Sequence, residues 1–102
     1  DSSDIIALVK PQFEAGRQKV GKKGIVRDPR VHTEVLLGFI DTCQELGLTL
    51  YDITYSPITG PEGNIEFLAH LHKATASPFI YVTAQKVEKV VEEAHKELLH
   101  GQ

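Results

Sequence analysis

A chain of 102 residues, 41% hydrophobic and 25% charged with a formal net charge of −3, has the composition of an ordinary globular protein and the length of one small domain, which excludes a multidomain assembly. No apolar run approaches the roughly 20 residues that cross a bilayer, and no basic flank leads into an apolar stretch as in a signal peptide, so no membrane role is expected. The single cysteine, Cys43, cannot close an internal disulfide, which makes the cytoplasm the default setting.

Residues 4–9, Asp-Ile-Ile-Ala-Leu-Val, form a continuous apolar run of the kind found in a strand buried on both faces of a sheet. Lys10-Pro11 ends it. Proline holds its predecessor extended and cannot donate to a ladder, so Lys10 is expected at the strand's C-terminal end. The next stretch is basic. Seven of the eleven lysines and arginines (Lys10, Arg17, Lys19, Lys22, Lys23, Arg27 and Arg30) fall between positions 10 and 30, opposed only by Glu14 and Asp28, which gives +5 there and −8 over the rest. With Gly16, Gly21 and Gly24 interspersed, this segment suits close approach to a phosphate backbone, although a solvated lysine-rich loop is the commoner outcome of such a pattern.

Val31, Val35, Leu36, Phe39, Ile40, Cys43 and Leu46 then recur at helical spacing, with Asp28-Pro29 as N-cap and first-turn proline and Gly47 as the stop. Cys43 falls on the apolar face and reads as core. Residues 48–55, rich in aliphatic, threonine and tyrosine side chains, predict the next strand, and the turn-forming residues of 56–64 follow. From 65 to 72, Ile65, Phe67, Ala69 and Leu71 alternate with Glu66, Leu68, His70 and His72. That alternation predicts a half-buried strand, antiparallel to its predecessor because the connection is too short for a helical crossover. Ser77-Pro78 interrupts the chain, and Thr83 caps a last helix whose apolar side is Val87, Val90, Val91, Ala94 and Leu98.

The expected fold class is therefore α/β, in the order strand, helix, strand, strand, helix, with the last two strands antiparallel. Two long helices are too few to cover both faces of a three-stranded sheet. The missing layers are expected upstream or from a partner, and the lack of any methionine leads to the expectation that the chain is part of a longer protein.

In open α/β sheets, function gathers beyond the C-terminal ends of the parallel strands, which is where Lys10 is placed. A lysine there is most often a solvated boundary residue. Glu66 is harder to dismiss, because it falls one residue into a strand whose apolar face is occupied, and its own face must cover something polar or open onto a cleft. If the two strand ends are neighbours, Lys10 and Glu66 are expected to form a partly buried ion pair that orients the ammonium. His70 and His72 share a strand face, but no third ligand lies at useful spacing, so no metal site is expected. No P-loop, dinucleotide fingerprint or Gly-x-Ser-x-Gly elbow is present, and the chain carries no cofactor cradle of its own.

Three motifs then act together: Leu-Val-Lys-Pro-Gln-Phe-Glu-Ala-Gly at 8–16, Gly-Ile-Val-Arg-Asp-Pro at 24–29, and Ser-Pro-Ile-Thr-Gly-Pro-Glu-Gly-Asn-Ile-Glu-Phe at 56–67. They resemble the C-terminal part of the TlyA or hemolysin A proteins, which are FtsJ-type, S-adenosylmethionine-dependent RNA 2′-O-methyltransferases. The resemblance runs over residues 4–73. It implies the C-terminal half of a Rossmann-like class I methyltransferase sheet, with an upstream half that binds the methyl donor and an S4-type RNA-binding domain ahead of it. Of the family's Lys-Asp-Lys-Glu tetrad, the resemblance makes Lys10 the third member and Glu66 the fourth, and leaves the first two upstream.

The same resemblance implies ribosomal RNA as partner and S-adenosylmethionine as cofactor of the parent protein, this stretch alone being inactive. With RNA as substrate, Arg17, Lys19, Lys22, Lys23, Arg27 and Arg30 are expected to contact phosphates, and Ser56 and Asn64 to support loop and substrate geometry. A rival reading is a non-catalytic RNA-binding module that uses only the basic loop. Literal haemolysis, the family's historical name, lacks a spanning segment or a strongly basic amphipathic helix to support it.

Overall fold

The computed structural model describes residues 3–16, 20–21, 24–73 and 77–98. Strand β1 (Ser3–Val9) leads through Lys10 into a single-turn helix α1 (Pro11–Glu14), and the basic loop then precedes α2 (Pro29–Glu45). Strand β2 (Thr49–Tyr55), a short 3-10 turn (Pro61–Gly63), strand β3 (Phe67–Lys73) and helix α3 (Ala84–Leu98) complete the chain. The predicted order of long elements holds. Helix α1 is the addition, its four residues being too few to leave a periodic signal.

The sheet order is β1-β3-β2, with β3 antiparallel to both neighbours. Strands β1 and β2 therefore run in the same direction without touching, and α2 carries the chain from one to the other. Asp28 starts α2 as expected, its Oδ1 accepting from the Arg30 N–H at 2.8 Å, and Pro29 occupies the first turn, where a missing N–H costs nothing. Gly47 ends the helix at φ +69, a left-handed conformation that favours glycine. Thr83 caps α3 through its Oγ1, which accepts from the Lys86 N–H at 3.1 Å.

One face of the sheet supplies the core. Phe67, Ala69 and Leu71 of β3, with Leu50 and Ile53 of β2, pack against Leu36, Ile40 and Cys43 of α2 and against the valines of α3. Cys43 is a free thiol whose pKa is pushed up by burial, as suits a packing residue. Leu46, predicted to continue the apolar side of α2, is 67% exposed instead, because it is the C-cap and lies beyond the last helical turn.

Strand β1 departs from the expectation of burial on both faces. Ile6 is 67% exposed and Leu8 47%. Both helices pack on the opposite face, and among the described residues no strand pairs with the outer edge of β1. A groove of about 600 Å³, lined in part by Leu8, Val9, Val31, Val35 and Phe39, opens beside it. The apolar run thus suits a burial that the described residues do not supply.

Helices α2 and α3 are joined by two histidines, His32 Nδ1 lying 2.7 Å from His95 Nε2. His32 is fully buried and meets the Phe67 ring edge-on at 5.6 Å. Burial, and then the nearby His95, push its pKa down from the ordinary 6.5 to about 4, and burial lowers His95 as well. As pH falls below 6.5 the unfolded chain takes up protons that folded His32 refuses. Stability is therefore complete above that pH and is lost towards about 4, by on the order of 2–3 kcal/mol. Denaturant titrations at about pH 7 and about pH 4.5 should show this loss, and His32→Phe should remove most of it. An undiminished loss in the variant would contradict the assignment.

Candidate functional site

Lys10 and Glu66 meet at one end of the sheet. The last pair of the β1–β3 ladder is Val9 with Phe67, and one further step sets Lys10 opposite Glu66. Because β3 begins at Phe67, Glu66 stands just ahead of the strand rather than one residue into it. It is 5% exposed. Lys10 is half-buried and immediately precedes α1.

The expected ion pair between them is not formed. Lys10 Nζ lies over the exposed Phe13 ring, 5.8 Å from its centroid, while Glu66 Oε2 accepts from Gln12 Nε2 at 2.8 Å. The first turn of α1 explains the exchange: it carries Gln12 to the carboxylate and offers the lysine an aromatic face outside.

The loop before β3 is built around the same carboxyl group. A Cβ on Gly60 would stand 2.6 Å from Glu66 Cδ, so only glycine leaves room for it. The Gly60 N–H donates to the Asn64 carbonyl at 2.7 Å, and the Ser56 N–H donates to the Glu66 carbonyl at 2.9 Å. Ser56 Oγ donates to the Ile58 carbonyl at 2.9 Å and accepts from the Ile58 N–H at 3.3 Å, which makes it a turn builder.

Asn64 reaches further. It is 2% exposed, its Oδ1 accepts from the Val26 N–H at 3.0 Å, and its Nδ2 donates to the Gly24 carbonyl at 2.8 Å. One side chain thus ties the end of the basic loop to the loop that carries Glu66.

Of the six cationic residues expected to face phosphates, Arg27 is exposed beside this clamp. Arg30 is exposed too, but its guanidinium is engaged by Asp28, Nε to Oδ1 at 3.3 Å and Nη2 to Oδ2 at 3.1 Å. The same contact holds the Asp28 carboxyl below its ordinary pKa. Arg17, Lys19, Lys22 and Lys23 lie outside the described residues.

On the open face of the sheet, His70 and His72 approach Asp4 Oδ1 at 3.2 and 3.1 Å, with the Tyr51 ring alongside. These contacts, His72 foremost, hold the Asp4 carboxyl below its ordinary pKa. Among the described residues no group of three or more His, Cys, Asp and Glu side chains is arranged to hold a metal ion, and no helix is long and apolar enough to cross a membrane.

Sequence reasoning missed Gln12 and Gly60. Gly60 looked like one turn glycine among several, and Gln12 carried no signal apart from its place two residues after Lys10. Neither the sidedness of a four-residue helix nor a loop folding back on a carboxylate can be read from spacing.

The FtsJ-like methyltransferase family profile matches residues 1–73. The chain is 53% identical over 97 residues to YqxC of Bacillus subtilis, named as a candidate rRNA methyltransferase, a match covering 94% of this chain and 34% of that protein. It is 41% identical over 73 residues to the 16S/23S rRNA (cytidine-2′-O)-methyltransferase TlyA of Mycobacterium tuberculosis, covering 72% of this chain and 27% of the relative. The fold matches the solved structure of a candidate hemolysin from Streptococcus thermophilus with a TM-score of 0.89 and 45% identity, over 97% of this chain and 35% of the other. The chain spans about a third of the length of such relatives.

Proposed function

Because the chain belongs to the FtsJ-like methyltransferase family, we propose that it is the C-terminal part of an enzyme that methylates ribose 2′-hydroxyls of ribosomal RNA with S-adenosylmethionine. The observation that carries this reading is the placement of Lys10 opposite buried Glu66 at one sheet end, beside a basic loop tied to the same site. The name of the mycobacterial relative, a cytidine-2′-O-methyltransferase, agrees with it.

Among the described residues, the turn after β1 does not form a cradle for the methyl donor. The turn after β1 runs through Lys10-Pro11 into one helical turn, and proline there offers no N–H to an anion or a ribose. Donor binding is assigned to the rest of the protein. In this reading a Rossmann-like sheet continues past the edge of β1 and the helices of its other half cover Ile6 and Leu8, with an S4-type domain upstream and the whole in the cytoplasm. S-adenosylmethionine supplies an electrophilic methyl group.

The contribution of this chain lies on the hydroxyl side. A ribose hydroxyl is a weak nucleophile, so its proton must be accepted or steered as the oxygen attacks. Lys10 acts after its own proton has gone to solvent: the neutral amine accepts a hydrogen bond from that hydroxyl and takes its proton, becoming the ammonium as the oxygen attacks. Glu66, buried and fixed by the loop before β3, is the negative group that draws the lysine inward from Phe13 once RNA is in place.

Alkaline hydrolysis tests the reaction, because a 2′-O-methyl group removes the nucleophile that cleaves the next phosphodiester. Labelled ribosomal RNA treated with the whole protein and S-adenosylmethionine should yield alkali-resistant dinucleotides. A label found only on bases, in alkali-labile nucleotides, would contradict the reading. For RNA binding, Arg27→Ala should lower the slope of log K against log salt by about 1, and Arg30→Ala by less, since Asp28 already answers the Arg30 charge. Equal effects would argue against this placement.

A further inference from the structure

Gln12 joins α1 to the carboxyl group at the sheet end and keeps one polar atom unspent. A carboxylate only accepts hydrogen bonds, so the amide must present its nitrogen to Glu66, and the 2.8 Å contact fixes which way Gln12 points. Its Oε1 is then buried without a hydrogen-bond partner. Unpaired buried acceptors are uncommon in folded proteins. Two residues earlier, Lys10 carries three donors on an ammonium whose contact is the exposed Phe13 ring, and among the described residues no carboxylate pairs with it.

We propose that Gln12 is a positioning residue for the methyl-transfer reaction, its amide bridging Glu66 and Lys10. Nε2 donates to Glu66, and Oε1 accepts from an N–H of Lys10 once the lysine moves in from Phe13, both in the neutral amine that takes the hydroxyl proton and in the ammonium that results. The inference rests on the assignment of Lys10 and Glu66 to that reaction. The bridge explains how Glu66 acts on Lys10 without touching it: a planar amide passes on direction as well as charge, and Gly60 keeps the carboxyl group where the amide can reach it. It also gives the orphaned Oε1 a donor in the loaded site.

Methyl-transfer kinetics of the whole protein on ribosomal RNA test the bridge. Gln12→Leu, of similar size with no polar atom, should lower kcat about 30-fold and hold the KM for RNA within about twofold, with only the modest lowering of the melting temperature that one bond lost from a buried carboxylate brings. Gln12→His, whose neutral ring has one donor and one acceptor, should recover at least about a third of the wild-type kcat, while Gln12→Lys, with donors alone, should not. In a Glu66→Gln background, Gln12→Leu should cost less than about twofold more, because a residue acting through Glu66 has nothing left to position.

Wild-type kcat in Gln12→Leu, beside inactive Lys10→Ala and Glu66→Gln, would overturn the bridge and leave the functional reading standing. Full activity of Lys10→Ala and Glu66→Gln would overturn both. A loss of kcat that follows a lowered melting temperature and is not rescued by histidine would make Gln12 a structural residue, and that too overturns the proposal.

Discussion

Lys10→Ala is expected to lower methyl transfer by the whole protein about 10³-fold, in the range found for removal of a general base or acid. The melting curve should hardly move. The Lys10 ammonium meets an exposed aromatic face, a contact worth about 0.5–1 kcal/mol at such sites, and no buried carboxylate is left unpaired by its removal. Lys10→Arg should be nearly as inactive: a guanidinium keeps the charge but cannot take up a proton. Single-turnover rates with calorimetric melting separate the two effects. A rate within about threefold of wild type would remove Lys10 from the chemistry.

Asn64→Ala is expected to cost about 2 kcal/mol of stability, because among the described residues it deletes a part-buried bond to the Gly24 carbonyl and a buried one that leaves the Val26 N–H unpaired. Asn64→Asp should cost a similar amount. It keeps an acceptor for Val26 but turns a second oxygen towards the carbonyl of Gly24 in place of a donor. Activity should fall with either variant, since the loop ending at Asn64 places Gly60 against Glu66. Denaturant midpoints measure the first effect. A loss of under about 1 kcal/mol would mean that something other than Asn64 holds the two loops together.

These expectations draw on parts of the molecule that were unequally legible in the sequence. The long elements were readable because each carried its own periodicity and its own punctuation: Asp28-Pro29 and Gly47 around α2, Thr83 before α3, and alternation through β3. The antiparallel pairing of β3 with β2 followed from a short connection. The pairing of β3 with β1 did not, since β3 enters between two strands that precede it in sequence, and local pattern says nothing about such an insertion.

The apolar run of β1 was read as doubly buried, whereas Ile6 and Leu8 face open space here. Composition registers the environment for which a strand is suited, and the described residues do not supply all of it. Likewise, nothing in the spacing of α2 singles out His32. Only the packing of α3 shows that it is buried against His95.

At the site, sequence pattern brought out Lys10 and Glu66 because an end-of-strand lysine and an acidic residue amid apolar ones are each unusual. It misjudged how they relate. Direct pairing was the simplest expectation for opposite charges at neighbouring strand ends, and the structure puts the Gln12 amide against the carboxylate instead. Ser56 and Asn64 were expected to shape the loop, and both sit in its hydrogen-bond framework, Asn64 by linking segments 40 residues apart. That link is invisible locally.

The claim on which the rest depends is that the amine of Lys10 serves a ribose hydroxyl. Chemical rescue addresses it most directly: methyl transfer to ribosomal RNA by the Lys10→Ala protein, measured with increasing ethylamine. The account predicts almost no transfer without the amine and a rate that climbs with its concentration, while the wild-type rate stays flat. Transfer at the wild-type rate by Lys10→Ala with no amine present would contradict it.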